Sequence, residues 1–230
     1  MSIRLVVFDM AGTTVKDNND VSKALIAAFA QVGIPVGMAD THSVMGYPKP
    51  VAVRLLLQKC QPEALRATPE LVDKIHSLYL RSMIHFYQTD PGLQEAPGAA
   101  ETFAALKRQG IRVALDTGFD RATAEVLLQR LGWLEQGLVD VSVTSDEVAN
   151  GRPCPDLIFE AMRRAGVSQV SQVAKVGDTP ADLQQGSRAG CRYVVGVTSG
   201  SHTAQELAKE PHTHLIEYLP QVLAILAEGK

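Results

Sequence analysis

Apolar and polar positions follow two rhythms along this chain, and the switches between them predict its organisation. Residues 3–10 (IRLVVFDM) form a continuous apolar, β-branched run that closes on an acid, Asp9. That is the pattern of a strand covered on both faces, as in a parallel sheet. Similar runs return at 111–118 (IRVALDTG), 138–144 (LVDVSVT), 173–178 (VAKVGD) and 193–197 (YVVGV). Helical spacing fills the intervals at 120–131, 155–165, 180–189 and 203–209, and AAETFAALKRQG reads as a further helix stopped by Gly110. Strictly alternating strands and helices predict the α/β class: a doubly wound parallel sheet into which the first strand also inserts.

Residues 20–91 keep the helical rhythm (VSKALIAAFAQVG, VAVRLLLQKC, ELVDKIHSLYLRSMIHFY) with almost no strand signal, and the segment ends at the turn-forming DPG of 90–92. The expected organisation is a discontinuous α/β core, 1–17 and 92–230, with an inserted all-helical cap, 18–91, and hinges near 17–20 and 88–93. Tyr79, Met83, Phe86 and Tyr87 in the last cap helix read as cap core or as a face on which two copies pair. Trp133 reads as packing for the helix before it.

Composition narrows the function classes. With 230 residues, 46% of them hydrophobic, the chain can bury a full core. A net charge of −3 with scattered Lys and Arg excludes a basic stripe for nucleic acid. No apolar window reaches the length of a membrane span, and the start lacks a signal-peptide pattern, so the expected location is the cytoplasm. Cys60, Cys154 and Cys191 show neither metal nor redox spacing and read as reduced thiols. His212 and His214 lack a third ligand nearby and read as loop; Ser199 to Ser201 read as the cap of the helix starting near Thr203.

The chemistry gathers where strands end. Asp9 closes the first, Thr117 and Gly118 the second, and Asp178 a later one, with Asp182 four residues on. Any one of these acids could be a helix cap. Carboxylates on neighbouring strand ends repel unless a divalent cation lies between them, and oxygen-only ligands suit Mg²⁺. Asp9 and Asp178 are the predicted metal pair.

In order and spacing, DMAGTT (9–14), DTG (116–118), GRPCP (151–155) and KVGDTPAD (175–182) resemble the four motifs of the haloacid dehalogenase superfamily. The resemblance implies that Asp9 is the nucleophile that becomes an aspartyl phosphate, that Thr117 hydrogen-bonds the phosphoryl group, and that Arg152 neutralises it. It further implies that Asp178 holds Mg²⁺ with Asp9 and the main-chain carbonyl of Ala11, with Asp182 orienting a metal water or backing Arg152. Thr13, Gly118, Met45 and Gly46 would contact the substrate.

Phosphatases of this superfamily usually carry a second Asp where this chain has Ala11, and alanine cannot protonate a leaving group. DMAGTT is similar to the phosphonatase branch, which cleaves a carbon–phosphorus bond through a cap lysine that forms a Schiff base with the substrate aldehyde. MGYPKPVAVRLL (45–56) resembles that branch's cap segment and places Lys49 at the Schiff-base position. Three features depart from it: Ala52 stands where a histidine relays protons, Phe119 where an aromatic hydroxyl is usual, and Pro48 and Pro50 flank the lysine and are expected to disturb the helix start. The expected substrate is a small phosphonate, phosphonoacetaldehyde or a relative. The alternatives are a phosphomonoesterase acting on a small phosphate, such as phosphoglycolate or a sugar phosphate, and a non-catalytic phospho-ligand sensor. The resemblance also implies a homodimer formed through the cap.

Overall fold

A computed structural model describes residues 2–60 and 67–228. Its strands are β1 (Leu5–Asp9), β2 (Arg112–Thr117), β3 (Val141–Thr144), β4 (Val173–Gly177), β5 (Tyr193–Val197) and β6 (His214–Ile216). They form one sheet in the order β3-β2-β1-β4-β5-β6, with every pairing parallel. The helices are α1 (Asp20–Ala30), α2 (Met38–His42), α3 (Lys49–Cys60), α4 (Pro69–Thr89), α5 (Ala99–Arg108), α6 (Arg121–Leu131), α7 (Asp156–Ala165), α8 (Pro180–Ala189), α9 (Ala204–Leu207) and α10 (Val222–Glu228).

Strand periodicity explains why β1 is apolar throughout. Val6 and Phe8 face a cluster that includes Phe103 and Trp133, while Leu5 and Val7 face Leu157, Ile158 and Ala161 of α7. Phe103 stands edge-on to both Phe8 and Trp133, with ring centroids 5.3 and 5.2 Å apart. The Asp120 side chain accepts the Thr123 N–H at the start of α6, and Gly132, at φ +67°, closes its other end in the left-handed region.

The chain winds from β1 through β2 to β3, then returns to lay β4 on the other side of β1. The switch between β1 and β4 leaves a crevice at their carboxyl ends. Helices α1 to α4 lie between β1 and β2 in sequence and pack on one another; α4 also packs on α6. Tyr79, Met83 and Tyr87 are buried and Phe86 is half-buried, so most of that α4 face is spent inside the chain. Arg130 of α6 donates to the carbonyls of Tyr87 and Asp90 at 2.8 and 2.9 Å, tying the end of α4 to the sheet layer. Where the chain leaves and re-enters the sheet domain, the two passages run side by side: Lys16 N donates to Gln94 O at 3.1 Å and Ala96 N to Thr14 O at 2.8 Å.

Two local expectations are corrected. His214, read as loop, begins β6, a three-residue edge strand too short to show an alternation of its own. Ser199 to Ser201 do not cap α9; Thr203 does, its hydroxyl accepting the Glu206 N–H, and Ser201 turns to Asp178 instead.

Candidate active site

Parallel pairing sets the site. In register, Asp9 stands beside Asp116, and Phe8 beside Val176, so β1, β2 and β4 deliver Asp9, Asp116 with Thr117, and Asp178 to the same edge. The loop after β3 adds Arg152, and the first turn of α8 adds Asp182. All are buried, as is Lys175 in the middle of β4.

Arg152 organises these charges. Its Nη1 lies 2.6 Å from Asp9 Oδ1 and 3.0 Å from Asp182 Oδ1, and its Nη2 lies 2.6 Å from Asp116 Oδ1 and donates to the Asp116 carbonyl at 2.7 Å. Lys175 Nζ pairs with Asp116 and, at 3.0 Å, with Asp182. The second oxygen of Asp182 accepts the Thr179 hydroxyl at 2.5 Å in the capping box that starts α8. Asp182 therefore backs Arg152 and has both oxygens engaged. Asp116 and Lys175 are functional neighbours that the strand pattern alone does not single out; the available signal is a charged residue inside an otherwise apolar run in both IRVALDTG and VAKVGD.

Asp178 is held differently. Thr13 Oγ1 donates to its Oδ1 at 2.8 Å, and the Ser201 N–H and hydroxyl both donate to its Oδ2 at 2.7 Å. Thr13, expected at the substrate, thus points to Asp178. Main chain closes on this carboxylate from two sides: a Cβ at Gly12, whose φ is +93°, or at Gly200 would fall 2.4 or 2.3 Å from an Asp178 side-chain atom.

The electrostatics fit a divalent cation. Carboxylate oxygens of Asp9, Asp178 and Asp182 lie within 4.8 Å of one another. Around them four buried carboxylates, Asp9, Asp116, Asp178 and Asp182, face three buried basic side chains, Arg152, Lys175 and, across the cavity, Lys49, and negative charge remains in excess. Burial pushes the Asp9 carboxyl up to about 8; Arg152 opposes the shift, Asp182 and Asp178 add to it, and Lys175 opposes it. Burial, followed by the charge on Asp182, also raises Asp178. A cation placed among these oxygens would return both to the ionised form. Asp182 is engaged by Arg152, Lys175 and Thr179; Asp9 and Asp178 would hold the cation, and Ala11 lines the cavity beside Asp9.

Above the strand ends lies a small cavity, about 30 Å³, lined by Asp9, Thr117, Arg152, Met45, Gly46 and Lys49, with Gly118, Phe119 and Asp17 completing its wall. The cap segment reaches it through close backbone approach. A Cβ on Gly46 (φ +84°) would fall 2.3 Å from Thr179 Oγ1, one on Gly118 2.6 Å from Tyr47 O, and one on Gly151 2.2 Å from Pro48 Cγ.

The prolines do not displace Lys49. They open α3 at it: Pro50 lies in the first turn, where a missing N–H costs no helical bond, and Ala52 N bonds Pro48 O at 2.9 Å. Lys49 is 4% exposed. Its Nζ has a long hydrogen bond to Tyr47 O, 3.4 Å, and sits 5.2 Å from the centroid of the Phe119 ring. Burial lowers its pKa to about 8, against the opposing pull of Asp9. Ala52, in place of the family's relay histidine, is fully buried in the apolar core.

Comparison with known proteins agrees with this geometry. Residues 3–190 match the model of the haloacid dehalogenase-like hydrolase family. A phosphonoacetaldehyde hydrolase of Bacteroides fragilis is 33% identical over 226 residues, covering 91% of this chain and 81% of that protein. Among solved structures, a phosphonoacetaldehyde hydrolase-like protein from Oleispira antarctica superposes with a TM-score of 0.87 at 22% identity, over 99% of this chain and 92% of that one. A protein described as a predicted phosphoglycolate phosphatase from Haemophilus somnus does so with a TM-score of 0.81 at 20% identity, over 97% of each chain. No helix among the described residues is long and apolar enough to cross a membrane. With its four motifs drawn to one crevice and its family model matched over most of its length, the chain belongs to the haloacid dehalogenase-like hydrolases.

Proposed function

We propose that this hydrolase cleaves the carbon–phosphorus bond of phosphonoacetaldehyde or a closely related small phosphonate. The observation that carries the reading is Lys49: a buried cap lysine with a depressed pKa, lining the same small cavity as Asp9 and Arg152, in a site where Ala11 supplies no acid for an ester oxygen. The B. fragilis relative supports the same substrate.

The deprotonated Lys49 amine adds to the aldehyde carbon, and loss of water leaves an iminium. Asp9 attacks phosphorus in line. The C–P electron pair moves into the enamine, so no free carbanion forms, and the phosphoryl group passes to the Asp9 carboxylate. Arg152 and the Thr117 hydroxyl are placed to hold the equatorial oxygens as they gain charge. Water then releases phosphate and one proton from phosphorylated Asp9, the enamine carbon takes up one proton to give an iminium, and hydrolysis of that iminium frees acetaldehyde from Lys49. Asp9 and Asp178, with the Ala11 carbonyl, would hold Mg²⁺, which would supply positive charge to offset that of the phosphoryl group. Residues 18–91 would act as the cap over this site, turning at the paired passages near 14–16 and 94–96.

A second reading has its own support. Fully buried Ala52 leaves Lys49 without the family's proton relay, which favours a phosphomonoesterase in which Lys49 binds substrate charge. Phosphate release from phosphonoacetaldehyde and from phosphoglycolate, by wild type, Asp9→Asn and Lys49→Arg, separates the two. The phosphonatase reading expects Lys49→Arg to lose the phosphonate reaction completely, because a guanidinium forms no imine. Ester turnover by wild type with no release from the phosphonate would support the phosphatase. Release from neither, with binding retained, would mark a non-catalytic sensor.

A further inference from the structure

Besides Asp9, the cavity has a second carboxylate in its wall, Asp17, which takes no part in the steps above. It lies where the chain leaves the sheet domain for α1. Its Oδ1 accepts the Asp20 N–H at 2.7 Å and the Val21 N–H at 3.4 Å, capping the first turn of that helix. Its Oδ2 makes no hydrogen bond among the described residues. The walls nearest this region are apolar, with Val21, Met45 and Phe119 lining the same space, and Lys49 lies across it.

We propose that Asp17 is the acid–base catalyst of imine formation at Lys49, a proposal that rests on the Schiff-base reading above. The other candidates are occupied or inert. Ala11 and Ala52 carry no proton. The direct contacts of Lys49 are the Tyr47 carbonyl and the Phe119 ring, neither of which can transfer one. Asp178 is held by Thr13 and Ser201, Asp182 by Thr179, Arg152 and Lys175, and Asp116 by Arg152 and Lys175. Asp17 lines the cavity and has an oxygen without a hydrogen bond among the described residues. Burial raises its pKa, followed by the opposing pull of the Asp20 and Val21 N–H groups, repulsion from Asp20 and attraction from Lys49. The ionisable groups facing it from neighbouring elements are Lys49 of α3 and the buried Tyr79 and Tyr87 of α4.

The protons balance over one turnover. Once Lys49 has added to the aldehyde carbon, the Asp17 carboxyl donates its proton to the hydroxyl of the adduct. The C–O bond breaks, the nitrogen lone pair closes the C=N bond, water leaves, and Asp17 remains as carboxylate. After C–P cleavage the enamine carbon takes one proton from water, matched by the one released when water hydrolyses the Asp9 phosphate, and an iminium is restored. When water adds to that iminium carbon to release acetaldehyde, the Asp17 carboxylate takes the proton from that water and is reset.

Asp17→Asn separates catalysis from capping, since asparagine accepts the same N–H bonds but cannot titrate. Asp17→Ser, with a hydroxyl cap, serves as a second variant if the first proves poorly folded. The readout is the rate at which borohydride with phosphonoacetaldehyde inactivates the protein by fixing the imine. The proposal expects both variants to melt within a few degrees of wild type and to be trapped at least about 10²-fold more slowly, the low end of general acid–base contributions. It also expects added formate or acetate to restore part of the rate in Asp17→Ser. Trapping at the wild-type rate in a folded Asp17→Asn overturns the role of Asp17 and leaves the Schiff base standing. Absence of trapping in wild type overturns both.

Discussion

Asp9 and Asp116 lie side by side in the register of β1 and β2, and one guanidinium bridges them: Arg152 places Nη1 2.6 Å from Asp9 Oδ1 and Nη2 2.6 Å from Asp116 Oδ1. Asp9, the proposed nucleophile, is therefore aimed by a cation that is itself anchored on the next strand. Arg152→Lys keeps the charge but replaces a planar fork with a single nitrogen, which cannot serve both carboxylates in this geometry. A folded protein with kcat reduced about 10²-fold is expected, comparable to removal of one preorganised donor. Activity near wild type would show that the bridge does not orient Asp9.

Asp116→Ala leaves Lys175 and Arg152 with one buried partner fewer each. Breaking a buried ion pair from one side costs about 3–5 kcal/mol, so this variant should unfold at clearly lower denaturant. Equilibrium urea unfolding measures it, and an unchanged midpoint would contradict the charge arrangement described here.

Lys49 gives a pH signature with a definite sign. Its pKa in the folded chain, about 8, lies below the ordinary 10.5 because burial disfavours the charged form. The amine is thus free to attack at a pH where surface lysines are protonated, and kcat/KM for the aldehyde should rise as the pH passes through about 8. The stability consequence runs the same way. Lys49 costs nothing above about 10.5, where it is neutral folded or unfolded; the cost grows as the pH falls towards about 8 and is fully present below that. Holding a buried lysine this far below its ordinary value destabilises the folded chain by roughly 3 kcal/mol at neutral pH. Lys49→Met should therefore be inactive on the aldehyde and more stable than wild type at pH 7 but not at pH 11. A variant less stable than wild type at pH 7 would contradict the buried, strained ammonium.

The glycines at the cap contact should be intolerant of even one methyl. A Cβ on Gly118 meets the Tyr47 carbonyl at 2.6 Å, and Gly46 combines φ +84° with a 2.3 Å approach to Thr179 Oγ1. Backbone must shift in either case, at a cost of about 1–3 kcal/mol. Gly118→Ala and Gly46→Ala are expected to raise KM about 10-fold or more, because Lys49 is carried to the cavity by this segment. An unchanged KM would mean that the approach is not needed for activity.

Much of this was legible in the sequence because β1, β4 and β5 are apolar enough, and α6, α7 and α8 well enough capped, for their boundaries to show. The motif acids could be placed because parallel strands must deliver their carboxyl ends to one edge. What escaped did so for identifiable reasons. Asp116 and Lys175 are charged residues inside strands, and a rule that tracks apolar runs passes over them. Asp17 caps the first turn of α1, and only the folded chain shows that the same residue lines the cavity. Ser201 lies beside a capping sequence whose cap turned out to be Thr203, while its partner Asp178 is 23 residues away. Pro48 and Pro50 read as obstacles to a helix; in three dimensions they begin one.

The measurement that bears most directly on the central claim is mass spectrometry of the protein after borohydride reduction with phosphonoacetaldehyde and Mg²⁺. The account predicts a single two-carbon adduct on the peptide containing Lys49, absent from Lys49→Arg and accompanied by loss of activity. An unmodified Lys49 peptide under conditions where phosphate is still released would contradict it.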